Sequence, residues 1–180
     1  MRELILTVER ATPHNLAPFG LYVGAHLDAA EFARWDGVLV KGPIPISVES
    51  GGELLHVQMR AATFPARVML LERHPNHTQT YLPANGKPFV MAVGRGVIGG
   101  LPDLTSLRAF LFDEGAGIVL HADTWHEFPL AIDDDTRFNV ILRDESHQNL
   151  LVAPDHPWDA HGPDLQRFDM QARARIFVEL

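Results

Sequence analysis

The stretch Leu71-Glu72-Arg73-His74-Pro75-Asn76-His77-Thr78-Gln79-Thr80-Tyr81-Leu82-Pro83-Ala84-Asn85-Gly86 decides how this chain is read. Successive side chains of a strand point to opposite faces, so Glu72 and His74, two apart, project from one face. Pro75 and Asn76 then turn the chain. Residues 78–82 alternate again, with Gln79 and Tyr81 on one face and Thr78, Thr80 and Leu82 on the other. Asn85-Gly86 closes the segment with turn chemistry. A carboxylate, an imidazole and an amide thus arrive on two consecutive strands.

The same texture extends outward. Residues 4–9, 38–41, 54–60, 67–72, 78–82, 88–93, 107–113, 117–121, 126–132 and 137–143 are rich in Val, Ile, Leu and Phe and are bounded by Gly, Pro, Asn or Asp. They read as short strands, and many short strands with frequent turns predict an all-β sandwich or barrel. Helical periodicity is confined to residues 29–35 and 165–175, which predicts a few short peripheral helices. Residues 107–113, ending in carboxylates, read as an edge strand. The 14 Gly and 13 Pro are spread throughout, so no linker or repeat stands out, and one domain over residues 1–180 is expected.

Composition excludes several functions. The net charge is -8 and the arginines are scattered, which argues against nucleic acid as a partner. There are no cysteines, so disulfides, thiolate metal sites and cysteine nucleophiles are excluded. Charge interrupts the first residues too early for a signal peptide, and no apolar run approaches the ~20 residues that span a bilayer. A cytoplasmic protein without a membrane partner is expected.

Two motifs attract attention and are set aside. Gly94-Arg95-Gly96-Val97-Ile98-Gly99 matches G-x-G-x-x-G after a predicted strand, but Gly100-Leu101-Pro102-Asp103 follows where a dinucleotide site needs a helix. It reads as an inter-strand loop. Asp133-Asp134-Asp135 reads as an exposed turn.

Of the 10 histidines, His14, His26, His56, His147, His156 and His161 lie beside turn residues or alone, and need no special role. His74, His77, His121 and His126 cluster by spacing. Glu72, His74, Gln79 and Gly86 form E-x-H-x4-Q-x6-G, the spacing of the first cupin motif, H-x-H-x4-E-x6-G, with Glu and Gln substituted. Gly115, His121, Asp123, His126 and Leu130 follow the second, G-x5-P-x-G-x2-H-x3-N, keeping the Gly and the last His. The resemblance implies a cupin-type double-stranded β-helix (jelly-roll) barrel with its core motifs at about residues 53–145. Glu72, His74, Gln79 and His126 offer mixed oxygen and nitrogen donors suited to Ni, Mn, Fe or Zn. A metal-free pocket using Glu72 and the histidines as acid–base groups is the other reading, and both stay open.

Leu71-Glu72-Arg73-His74-Pro75, Gln79, Gly86-Lys87-Pro88-Phe89-Val90, the segment from Pro102 to Phe110, and His121 with Trp125-His126 together resemble the ureidoglycolate lyase family. The resemblance implies a homodimeric cupin that splits ureidoglycolate into glyoxylate and urea in purine (allantoin) catabolism; a divalent metal such as Ni or Mn is linked with the family, and the metal-bound and metal-free readings both stay open. The family's second His after Trp-His is absent, since Glu127-Phe128-Pro129 follows His126. Such a lyase needs a base at the hydroxyl and an acid at the leaving nitrogen. Glu72 or His126 is the expected base, and His74 or His121 the expected acid. The carboxylate of a small hydroxy-acid substrate calls for an Arg fork, with Arg60, Arg73, Arg108 and Arg143 as candidates, and Gln79 and Trp125 as further substrate contacts. Glu127 is expected on the strand face opposite His126. Two other functions fit the same barrel: a cupin lyase, isomerase or hydrolase for another small hydroxy or keto acid, and a non-catalytic metabolite binder.

Overall fold

A computed structural model describes residues 3–24, 33–35, 38–40, 44–48, 51–97, 99–146 and 159–180. The chain is all-β and cupin-type. Its strands are β1 (Glu3–Arg10), β2 (Gly20–Val23), β3 (Ala33–Trp35), β4 (Val38–Val40), β5 (Gly52–Met59) and β6 (Ala66–Arg67). There follow β7 (Leu70–Arg73), β8 (Gln79–Pro83), β9 (Phe89–Gly94), β10 (Arg108–Phe112), β11 (Gly117–Leu120) and β12 (Trp125–His126). The last are β13 (Leu130–Ala131), β14 (Thr136–Arg143), β15 (Ala160–His161), β16 (Gln166–Asp169) and β17 (Arg175–Glu179). A short helix, α1 (Pro13–Leu16), starts where Thr12 and Asn15 cap each other and Pro13 supplies a preset φ.

The larger sheet runs β15-β16-β7-β12-β9-β10-β1-β17-β6, with β13 also on β9; the smaller runs β2-β11-β8-β14-β5. Alternation along β9 explains why two cores exist. Phe89, Met91 and Val93 face one cluster, together with Phe110, Tyr81, Ile118 and Phe138 from both sheets. Val90 and Ala92 face the other, with Leu71, Trp125, Phe168 and Ile176. All of β9 is buried, so it reads as a continuous apolar run and not as an alternating one. Phe89 stacks on Phe112 at 4.5 Å and meets Phe138 edge-on at 4.9 Å, which ties the sheets together.

The turns agree with the motif spacing. Gly86 and Gly115 hold φ of 72° and 75°, and Asp123, at the second motif's Gly position, holds 71°. These are left-handed conformations that favour Gly and tolerate Asp.

Several expectations need correction. Residues 107–113 do not form an edge, because β10 is paired on both sides, by β9 and by β1. The helical reading of 165–175 fails: β16 and β17 occupy it with a turn between them. Within 29–35, residues 33–35 form β3 and the rest lies outside the described residues. The predicted strands at 67–72 and 126–132 are each interrupted, giving β6 and β7, and β12 and β13. The glycine motif forms a loop in which the N–H of Val97 donates to the Leu101 carbonyl and Gly96 pairs with Pro102. Asp134 and Asp135 serve a turn, accepting from Ala61 N–H and from Arg137. Among the described residues, no helix is long and apolar enough to cross a membrane.

Candidate functional site

Strands β7, β12 and β8 assemble the site. His126 lies directly across from Glu72 in the ladder, so their side chains share a face. His74 continues that face one step beyond β7, and Gln79 opens β8. Glu72, His74, Gln79 and His126 are all buried, none more than 8% exposed. Glu72 Oε1 is 3.7 Å from His126 Nε2, and the His74 and His126 rings are 5.5 Å apart. Tyr81 closes the floor, edge-on to His126 at 6.2 Å.

Hydrogen bonding sets the tautomers. His74 Nδ1 lies 3.0 Å from the Asp164 carbonyl, and His126 Nδ1 lies 3.0 Å from the Thr124 carbonyl. A carbonyl can only accept, so each Nδ1 carries the hydrogen and each Nε2 keeps its lone pair. Burial lowers both histidine pKa values, and His126 and His77 push that of His74 down further. Both rings are therefore neutral at pH 7. His74 Nε2, His126 Nε2, Gln79 Oε1 and the Tyr81 hydroxyl are buried without a hydrogen bond of good geometry, and the Gln79 side chain lies near enough to His74 to favour its protonated form. Three unpaired acceptors on one buried surface form a place for a donor or a cation.

The residues fit a metal on that same observation. Glu72, His74 and His126 each offer a ligand atom, and these atoms lie within 4.8 Å of one another. The backbone carbonyls behind both Nδ1 atoms are the partners that orient metal-binding imidazoles. Gln79 Oε1 would be a fourth, neutral donor.

His77 is drawn in behind His74, ring to ring at 4.6 Å, and is bound by Ser146 Oγ at 2.8 Å. His121 is not drawn in. Strand β11 ends at Leu120, and His121 is exposed with Nε2 3.3 Å from the Ala17 carbonyl. Of the two expected acids, His74 is in the cluster and His121 stands outside it.

The expected arginines stand outside it too. Arg60 is exposed at the end of β5. Arg108 is tied to Glu9 on the outer surface. Arg73 lies between Glu72 and His74 in sequence, so alternation sends it to the opposite face of β7. There it donates to Gln166 Oε1 at 2.9 Å and Asp123 Oδ1 at 2.5 Å, and covers the Trp125 ring at 5.1 Å. Trp125, beside His126, is turned away by the same rule, fully buried and 5.3 Å from Phe168. Arg143 acts at one remove: it donates to the Asp164 carboxylate at 3.0 Å, on the residue whose carbonyl orients His74.

Arg167 was missed. It lies on β16 directly across from Glu72, is 7% exposed, and brings Nε to 3.4 Å from Glu72 Oε2. Its strand reads as helix in sequence, so no local signal marks it.

Glu127 is half-buried and lies away from the cluster. Its Oε2 accepts from the N–H groups of Met69 at 2.8 Å and Leu70 at 2.9 Å, which locks the break after β12 onto the start of β7. Burial pushes its pKa up to about 7 against the three backbone N–H donors, with Glu72 adding to the rise. The folded protein thus holds this proton between the ordinary carboxylate range and about pH 7, where the unfolded chain has lost it. The stability it contributes is full below the unfolded value and is lost as pH rises towards 7. Glu127→Gln should remove that fall, so denaturation curves of the two proteins should diverge between about pH 4.5 and 7. Parallel curves would contradict the burial argument.

Comparison with known proteins gives the family. The ureidoglycolate lyase family pattern matches residues 3–160. A protein of Brucella ovis named ureidoglycolate lyase is 31% identical over 153 residues, covering 81% of this chain and 86% of its own. One of the same name from Salmonella typhimurium is 39% identical over 82 residues, covering 46% of this chain. The chain thus spans 50% of the length of that Salmonella relative. On the match over residues 3–160 and the Brucella relative, this chain belongs to the ureidoglycolate lyase family.

Proposed function

We propose that this protein is a carbon–nitrogen lyase that cleaves ureidoglycolate into glyoxylate and urea. The single observation that carries the reading is the buried set of unpaired acceptors, His74 Nε2, His126 Nε2 and Gln79 Oε1, gathered beside Glu72. Family membership supplies the substrate.

The reaction moves one proton. Removing the substrate's hydroxyl proton lets the oxygen electron pair close the C=O bond, while the C–N bonding pair departs with the urea nitrogen. That nitrogen needs one proton, and the hydroxyl has just released one. His126 Nε2 accepts it, and the Glu72 carboxylate at 3.7 Å stabilises the imidazolium. His126 then returns the proton to the departing nitrogen. His74, neutral with a lone pair at Nε2, accepts a hydrogen bond from the ureido N–H and orients the leaving group. A separate acid is unnecessary, which removes the need for His121.

The same unpaired donors favour a second reading. A divalent ion such as Ni or Mn, held by Glu72, His74, Gln79 and His126, would supply polarisation of the substrate's hydroxyl and acidify it. Exhaustive chelation separates the two. Turnover that survives identifies the acid–base pocket, and turnover that is lost and then restored by Ni or Mn identifies the metal site.

Incubation with ureidoglycolate and measurement of glyoxylate tests the proposal itself. No release, with and without added Ni or Mn, would assign the chain to another small hydroxy or keto acid, or to a binding role. The reading carries with it a homodimer in the cytoplasm, acting in purine (allantoin) catabolism.

A further inference from the structure

Arg167 is a buried guanidinium with unused capacity. A guanidinium offers five N–H donors in a planar fork and cannot lose its charge. Nε of Arg167 is buried yet forms no hydrogen bond, and its polar contact among the described residues is the ion pair with Glu72 at 3.4 Å. The other arginines near the site are already closed. Arg73 is held by Gln166 and Asp123, and Arg143 by Glu145 and Asp164. Leaving a buried donor unmade is costly, so Arg167 is paired too weakly for the fold alone to account for it.

Its position suits a two-carbon acid. Glu72 presents Oε1 to His126 and Oε2 to Arg167, so the guanidinium and the imidazole flank the two oxygens of one carboxylate. An α-hydroxy acid carries its carboxylate and its hydroxyl on the same carbon, which matches that short span. Arg167 supplies the fixed positive charge an anion needs.

We propose that Arg167 binds the carboxylate of the substrate, and so selects small α-hydroxy and α-keto acids over their neutral analogues. The identity of that acid as ureidoglycolate rests on the proposed lyase activity. The residue itself lies beyond residue 160, where the family match ends.

The test compares glycolate with its neutral isostere glycolamide, titrated into wild type, Arg167→Lys and Arg167→Met. Wild type should prefer glycolate. Arg167→Met should weaken glycolate about 10- to 150-fold, the range for a charge-assisted hydrogen bond, and leave glycolamide unchanged. Arg167→Lys should lie between, keeping charge without the fork. If Arg167→Met does not fold, the double variant Glu72→Leu/Arg167→Met removes both charges together, and it too should lose the preference for glycolate.

Equal binding of glycolate by wild type and variants, or no preference in wild type, would overturn the proposal. An Arg167 that served only to hold Glu72 would lower kcat and leave KM and glycolate affinity unmoved. Failure of the lyase reading looks different: wild type would leave ureidoglycolate intact while still binding glycolate through Arg167. Conversely, Arg167→Met cleaving ureidoglycolate at the wild-type KM would refute the role of Arg167 and leave the lyase standing.

Discussion

Glu72→Leu is expected to lower glyoxylate release by about 10²- to 10⁴-fold and to destabilise the protein by about 3–5 kcal/mol. The two effects have separate causes. Catalysis falls because the imidazolium formed at His126 loses the carboxylate 3.7 Å away. Stability falls because Arg167, with its side chain 9% exposed, is left as an uncompensated charge. Adding Arg167→Met should therefore restore most of the stability and none of the activity. Chemical denaturation and a glyoxylate assay on the single and double variants read the two effects apart. A stable Glu72→Leu would mean that Glu72 does not balance the charge of Arg167.

His126→Ala is the second large effect. The proton that leaves the substrate's hydroxyl has His126 Nε2 as its acceptor, so kcat should fall about 10²- to 10⁴-fold. Glycolate binding should persist, because Arg167 holds the carboxylate. His126 is fully enclosed, and the truncation leaves a cavity lined by Glu72, His74 and Tyr81. Added imidazole should enter that cavity and recover part of the rate. A variant that keeps full turnover would show that the proton goes elsewhere.

The two halves of the site were legible to different degrees. Glu72, His74 and Gln79 lie within eight residues on consecutive strands, where period-two alternation suffices to group them. His126 required the second motif's spacing, and its left-handed residues at Gly115 and Asp123 confirm that the spacing has a backbone cause. The same alternation already contained the correction for Arg73 and Trp125. Each is the immediate neighbour of a site residue, so a strand must turn it to the far face.

His121 failed for another reason: motif spacing gives a register but not the point where a strand ends, and β11 ends one residue earlier. Arg167 was beyond local reading altogether. The segment 165–175 places Leu165, Phe168 and Ala172 near helical spacing, whereas in the fold Phe168 joins the second core and Arg167 meets Glu72 across a ladder closed from distant sequence. Long-range pairing overrode a local pattern there.

In the proposed reaction the buried cluster cleaves a carbon–nitrogen bond by moving one proton, without adding water. Product analysis of ureidoglycolate turnover tests it most directly, with glyoxylate, urea and ammonia measured together for wild type and for His126→Ala. Wild type should release glyoxylate and urea in equal amounts with no ammonia, and the variant should stay near background. Ammonia in place of urea, or equal release from both proteins, would contradict it.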